Sequence, residues 1–148
     1  MVGNVTSSTF PYGTAQALTT SYTYEPLFQQ VKTVTDPLGH ITTFNYDVAG
    51  FLIGVKDANN NEVVITNNIS GQPLTITDPL GHMTAFEYDG ADWVKVTDAL
   101  NHVVQRFTDA VGRVVGITDP LGNVTRLDYD AFKARSPMAT MRVIGCAP

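Results

Sequence analysis

The chain has 148 residues, 43% of them hydrophobic and 16% charged, with a net charge of −5. That length and balance suit about one folded domain and exclude a disordered polyelectrolyte. The negative sign, without a basic patch to neutralise phosphates, argues against nucleic acid as a partner.

No membrane span is expected, because the longest apolar runs are as short as Phe51-Leu52-Ile53 and Gly54-Val55, against about 20 residues for a bilayer-crossing helix. The first residues lack a basic stretch followed by an apolar core, so no secretory signal peptide is read within them. Cys146 is the only cysteine, which rules out an intrachain disulfide.

Residues 1–34 read as an irregular, partial N-terminal repeat. Gly3-Asn4-Val5-Thr6 resembles the second half of a later unit, and Tyr22-Thr23-Tyr24-Glu25 resembles Phe44-Asn45-Tyr46-Asp47. Residues 35–131 then form a regular array. Its turn aspartates Asp36, Asp57, Asp78, Asp98 and Asp119 are spaced 21, 21, 20 and 21 residues apart. Repetition at such a period decides the architecture before any other feature does. The short interval falls at Asp89-Gly90-Ala91-Asp92, where one residue fewer than in Asp47-Val48-Ala49-Gly50 predicts a tighter turn.

Each unit predicts two strands. In the first, Thr42, Phe44 and Tyr46 alternate onto one face, as do Thr84, Phe86 and Tyr88, and Thr125, Leu127 and Tyr129. Arg106 breaks that face where Phe44 would stand, and Asn67 replaces its tyrosine. In the second strand the apolar residues lie three apart, as Leu52 and Val55 or Val114 and Ile117 do. Three is not a strand period, so either a bulge or a change of face is needed.

The turns have a mechanism. Asp36-Pro37-Leu38-Gly39, Asp78-Pro79-Leu80-Gly81 and Asp119-Pro120-Leu121-Gly122 place a side-chain acceptor first, a fixed φ second and a glycine where φ turns positive. Turn signals every ~10 residues between short β-rich runs predict hairpins in series. Gly, Pro and Asn recur too often for helices. The expected fold is all-β, a curved antiparallel sheet of tandem hairpins. Residues 132–148 leave the pattern and read as a non-repeat tail, expected to be poorly ordered.

Chemistry-bearing residues have structural readings close at hand. His40, His82 and His102 each follow a turn aspartate by four positions, and Asn61 and Asn123 share that slot. Metal ligands are not freely exchanged for Asn, so the slot reads as a polar turn position. Asp57-Ala58-Asn59-Asn60-Asn61 imitates a calcium loop but has Glu62 and Asn68 where Gly and Glu belong. No nucleophile, zinc or phosphate-loop motif is present, so neither enzyme activity nor a cofactor is expected. Asn4, Asn68 and Asn123 begin glycosylation sequons. Tyr24, Tyr46, Tyr88 and Tyr129, at matching offsets, suggest a stacked aromatic ladder, or a row that binds surface carbohydrate. Trp93, in the place of Leu52, reads as filler of the same face.

Units of about 21 residues carrying Tyr-Asp, a glycine turn and Val-Thr-Asp-Pro-Leu-Gly resemble the RHS/YD-repeat family. The carriers are Asp36, Pro37 and Gly39 with Tyr46 and Asp47; Asp78, Pro79 and Gly81 with Tyr88 and Asp89; and Asp119, Pro120 and Gly122 with Tyr129 and Asp130. The resemblance covers about residues 20–131. It implies hairpins coiled into a hollow shell that encapsulates a C-terminal toxin polypeptide for delivery to rival cells. Relatives include wall-associated proteins, insecticidal toxin-complex components and the teneurins, so a secreted or cell-surface location is implied. Neither a toxin domain nor the self-cleaving aspartates of the shell's core plug can be matched here. The resemblance therefore implies a fragment of wall, with open sheet edges prone to edge-to-edge self-association.

Overall fold

The computed structural model describes residues 3–13 and 15–130; the sequence tail at 132–148 lies outside them. The fold is all-β, built as tandem antiparallel hairpins. Twelve strands occur among the described residues. The chain divides into two compact units, Met1–His82 and Met83–Pro148.

In the first unit the strands are β1 (Ser7–Phe10), β2 (Leu18–Tyr24), β3 (Val31–Thr35), β4 (Ile41–Tyr46), β5 (Leu52–Lys56), β6 (Glu62–Asn67) and β7 (Pro73–Thr77). Each pairs antiparallel with the next. Register separates two unlike faces. On one, Tyr22 stands opposite Val34 and Val34 opposite Thr42, while Phe44, Val55 and Val63 form a row and Ile65 pairs Ile76. On the other run Thr23, Thr33, Thr43, Lys56 and Glu62. Hydroxyl pairs join strands on that polar face, Thr9 to Thr19 at 2.8 Å and Thr66 to Thr75 at 2.7 Å.

The second unit holds β8 (Met83–Asp89), β9 (Asp92–Thr97), β10 (Val103–Thr108), β11 (Val114–Thr118) and β12 (Val124–Arg126), again paired in chain order. Phe86, Val96 and Val104 share its apolar face; Glu87, Lys95 and Gln105 share the other.

The three-residue apolar spacing is explained by a bulge. Tyr46 faces Leu52 and Asn45 faces Gly54, so Ile53 is the extra residue; Phe44 then faces Val55. Leu52 and Val55 thus reach the same face although three apart. The same shift recurs at Thr23/Tyr24, Thr66/Asn67, Glu87/Tyr88 and Phe107/Thr108. The turn at Gly90-Ala91 is the tight one: Asp89 pairs Asp92 across a two-residue loop with Gly90 at φ 58°. Glycine first is the order such loops favour.

No hydrophobic side chain among the described residues is fully buried. The buried positions are Gly50, Gly54 and Gly116. Most domains bury a core between two layers. Here each unit is a single layer, with Tyr22, Phe44, Val63 and Ile65 half-covered by neighbours on their own face.

Candidate functional site

The recurring site is a five-residue turn closed by its first side chain. At Asp36, Oδ1 accepts the backbone N–H groups of Leu38 and His40 at 2.8 and 2.9 Å. The main chain adds a bond from Gly39 N–H to the Asp36 carbonyl, 3.0 Å, and one from Asp36 N–H to the His40 carbonyl. Asp47, Asp57, Asp78, Asp98, Asp109 and Asp119 repeat the Oδ1 bonds two and four residues on. Asn68 does the same with its amide oxygen. One clasp therefore serves both ends of the hairpins, with Pro37, Pro79 and Pro120 optional within it. Glycine carries the positive φ, 87° at Gly39, 88° at Gly81 and 85° at Gly122, and Asn60 and Asn101 take that place at 67° and 66°.

The slot four residues on from the clasp residue is occupied on chemical grounds. His40, His82 and His102 each bring Nδ1 to 2.8 Å from the second oxygen of their own aspartate. Asn61 and Asn123 donate Nδ2 there at the same distance, and Arg113 donates Nε. Each histidine thus serves a separate turn. Among the described residues no three His, Cys, Asp or Glu side chains gather where they could hold a metal ion. Asn68 and Asn123, two sequon residues, are themselves engaged in clasps.

These bonds hold the carboxyls of Asp36, Asp57, Asp78 and Asp119 below the ordinary 3.8, first through the slot side chain. Asp98 is lowered chiefly by the backbone of His102, opposed by burial. At Asp109 burial pushes upward, but the bonds from Arg113 outweigh it.

Tyrosines at or just beyond strand ends act as latches. Tyr46 Oη donates to the Val31 carbonyl at 2.8 Å, and Tyr129 Oη to that of Val114 at 2.7 Å. Tyr24 reaches Val5 in the same way, and Asn67 at a tyrosine position donates Nδ2 to the Leu52 carbonyl at 2.9 Å. The bonds of Tyr46, Asn67 and Tyr129 each reach the strand before, and that of Tyr24 reaches the segment leading into β1. Rings at matching offsets lie two strands apart, about 10 Å, beyond the 4.5–7 Å of a stacked pair. The hydroxyl bond, not ring-on-ring stacking, is what the structure gives Tyr24, Tyr46 and Tyr129. Tyr88 stands opposite Trp93, and Asp89 lies at the tight turn. Asp130 ends the described chain.

Two contacts were not legible in the sequence. A Cβ on Gly71 would stand 2.4 Å from the Phe51 ring, and one on Gly50 would stand 3.0 Å from Phe28. Each ring therefore lies flat on the next turn's glycine. In the second unit Arg106 sits 4.5 Å over the Trp93 ring and bonds Asp92 at 3.0 Å. Its face-breaking charge is thereby sheltered, with 15% of the side chain exposed. Arg113 stacks on Tyr129 at 4.7 Å.

The RHS Repeat family profile matches residues 27–62, 70–103 and 109–134, well over half of the chain. The chain belongs to the RHS repeat family. The clasps at Asp36, Asp47, Asp57, Asp78, Asp98, Asp109 and Asp119 all begin within the three matched blocks. Comparison with curated proteins gives no match. Among solved structures, a crystal structure of TcdB2-TccC3 is similar over 72% of this chain at 25% identity, TM-score 0.60. TcdB2-TccC3-TEV is similar over 80% at 21% identity, TM-score 0.67. A Photorhabdus luminescens Tc holotoxin pore with a substituted TccC3 is similar over 72% at 23% identity, TM-score 0.59. The RHS chain spans only 6–7% of the length of these proteins.

Proposed function

We propose that this RHS segment is a stretch of shell wall in a secreted or surface-delivered bacterial toxin system, with an enclosed toxin polypeptide as its partner. The observation that carries the reading is a hairpin array whose recurring polar groups all serve construction. Clasps hold the turns, latches join the hairpins, and in each unit the apolar face is only half-covered, with no fully buried hydrophobic side chain among the described residues. A half-covered apolar face on one side and a hydroxyl-rich face on the other suit a wall between two environments.

A wall predicts protection. With its native flanking sequence, the protein should shield its enclosed polypeptide from added protease, and Tyr46→Phe with Tyr129→Phe should shorten that protection. An enclosed polypeptide digested as fast as the free one would defeat the reading. The surface-carbohydrate alternative rested on an available tyrosine row. Three of those hydroxyls are engaged on carbonyls, which favours construction. Self-association through strand edges would appear as a concentration-dependent mass in sedimentation.

A further inference from the structure

The last strand of the second unit has an open edge. β12 pairs with β11 on one side and ends the strand order among the described residues. It is also short, three residues against six or seven in β4, β8 and β10, the first strands of earlier hairpins. The backbone nevertheless stays alongside β11 past Arg126, because Leu127 N–H donates to the Val115 carbonyl at 3.1 Å. Tyr129 is already latched to Val114, as Tyr46 is to Val31 while it faces Leu52 on its other side. A cleft of about 540 Å³ lies here, with Phe107, Val124, Arg126 and Asp128 around the Gly116 backbone. The first half of a hairpin is in place.

The sequence beyond Asp130 lies outside the described residues, but it contains the pattern of a second strand. Phe51-Leu52-Ile53-Gly54-Val55-Lys56 and Arg113-Val114-Val115-Gly116-Ile117-Thr118 each run two apolar residues, a glycine and a further apolar residue. Arg142-Val143-Ile144-Gly145-Cys146-Ala147 repeats it, with Arg, Val and Gly as in the 113–118 copy. The glycine is the informative position. A Cβ on Gly54 would stand 3.3 Å from Glu62 Oε1, and one on Gly116 3.4 Å from the Phe107 ring. The copy comes 29 residues after Arg113 instead of 21, and the eight extra residues carry it out of the array's period.

We propose that residues 142–147 occupy the β12 edge, closing the last hairpin over a loop of residues 131–141. The register follows from β10 and β11, where Thr108 faces Val114, Phe107 faces Gly116 and Arg106 faces Ile117. Carried over, Tyr129 faces Val143, Asp128 faces Gly145 and Leu127 faces Cys146, with Ile144 the extra residue of the bulge. Gly145 then comes beside Asp128 on the face of the cleft, and Cys146 beside Leu127 on the apolar face. The internal copy decides between occupants. A foreign strand pairs with any open edge through its backbone alone, whereas this segment carries the residue order that the register asks for. It is also tethered, and the cost of closing a loop rises only slowly with its length. The β12 edge is thereby closed to a second copy of the chain.

Cys146 is the only cysteine, so one substitution in the whole chain tests the register. Under mild oxidation with diamide, Leu127→Cys should form an intrachain disulfide with Cys146. Asp128→Cys, one position along and facing the other way, should form it at least about tenfold more slowly, because Cβ vectors that point apart are not bridged. Circular dichroism checks that each variant keeps the fold. Amide exchange in the unsubstituted chain is a second measurement, in which residues 143–147 should exchange at least about tenfold more slowly than 132–141. Equal rates of disulfide formation in the two variants would overturn the proposal. So would no disulfide in Leu127→Cys, or exchange at 143–147 as fast as in the loop. Disulfide-linked dimers of Leu127→Cys in dilute solution would overturn it in favour of a second copy as the occupant.

Discussion

Single residues do unusually separable jobs in this chain. Gly71 combines φ of 79° with a ring 2.4 Å from where a Cβ would be, whereas Gly39 has φ of 87° and open space. Gly39→Ala should therefore cost about 1 kcal/mol, the left-handed penalty alone. Gly71→Ala should cost roughly 2–4 kcal/mol, because the Phe51 ring must also move. Denaturant unfolding of the two variants checks the difference. The clasp aspartates also set an acid limit. A carboxyl whose folded pKa lies below 3.8 contributes stability that is fully present above that value. The contribution disappears as pH falls through the lowered value. Six aspartates are shifted this way, so stability should fall as pH drops below about 4. Asp78→Asn should keep the turn, as Asn68 keeps its own, yet make the acid transition shallower in a circular dichroism titration.

At the scale of strands and turns, the latch is the element that sequence reading assigned otherwise. The matching offset of Tyr46 suggests a stacked ladder or a carbohydrate-binding row; its hydroxyl holds the Val31 carbonyl. The offset was legible, but the partner is a backbone atom, and periodicity of side chains carries no information about a carbonyl. Tyr46→Phe should cost about 1 kcal/mol and speed amide exchange at the adjoining ends of β3 and β4. The bulges show the opposite case. The spacing of Leu52 and Val55 demanded either a bulge or a change of face, and only the register could choose. The tight turn at Gly90-Ala91 was legible outright, since one missing residue leaves little else. Arg106 was legible only as an irregularity. Its compensation in Trp93 and Asp92 lies 13 and 14 positions away, on the neighbouring strand. Arg106→Ala should redden the emission of Trp93, the sole tryptophan, and cost about 1 kcal/mol.

At the scale of the molecule, the decisive property is that each unit is a single layer, with no fully buried side chain among the described residues. Stability then comes from each hairpin and its contact with the next, as in repeat arrays, and not from one shared core. Unfolding should be staged. In a denaturant series the fluorescence of Trp93, which lies in the second unit, should change at a different midpoint from circular dichroism over the whole chain; coincident midpoints would mean one cooperative body. The clasp has a further consequence. All of its bonds fall within five consecutive residues, so a turn carries its own instructions and asks nothing of distant sequence. Such a piece can be copied or deleted in tandem with repairs needed only at one latch and one ring-on-glycine contact. A protein made this way can change its length in steps of two strands, and its dimensions become a matter of counting.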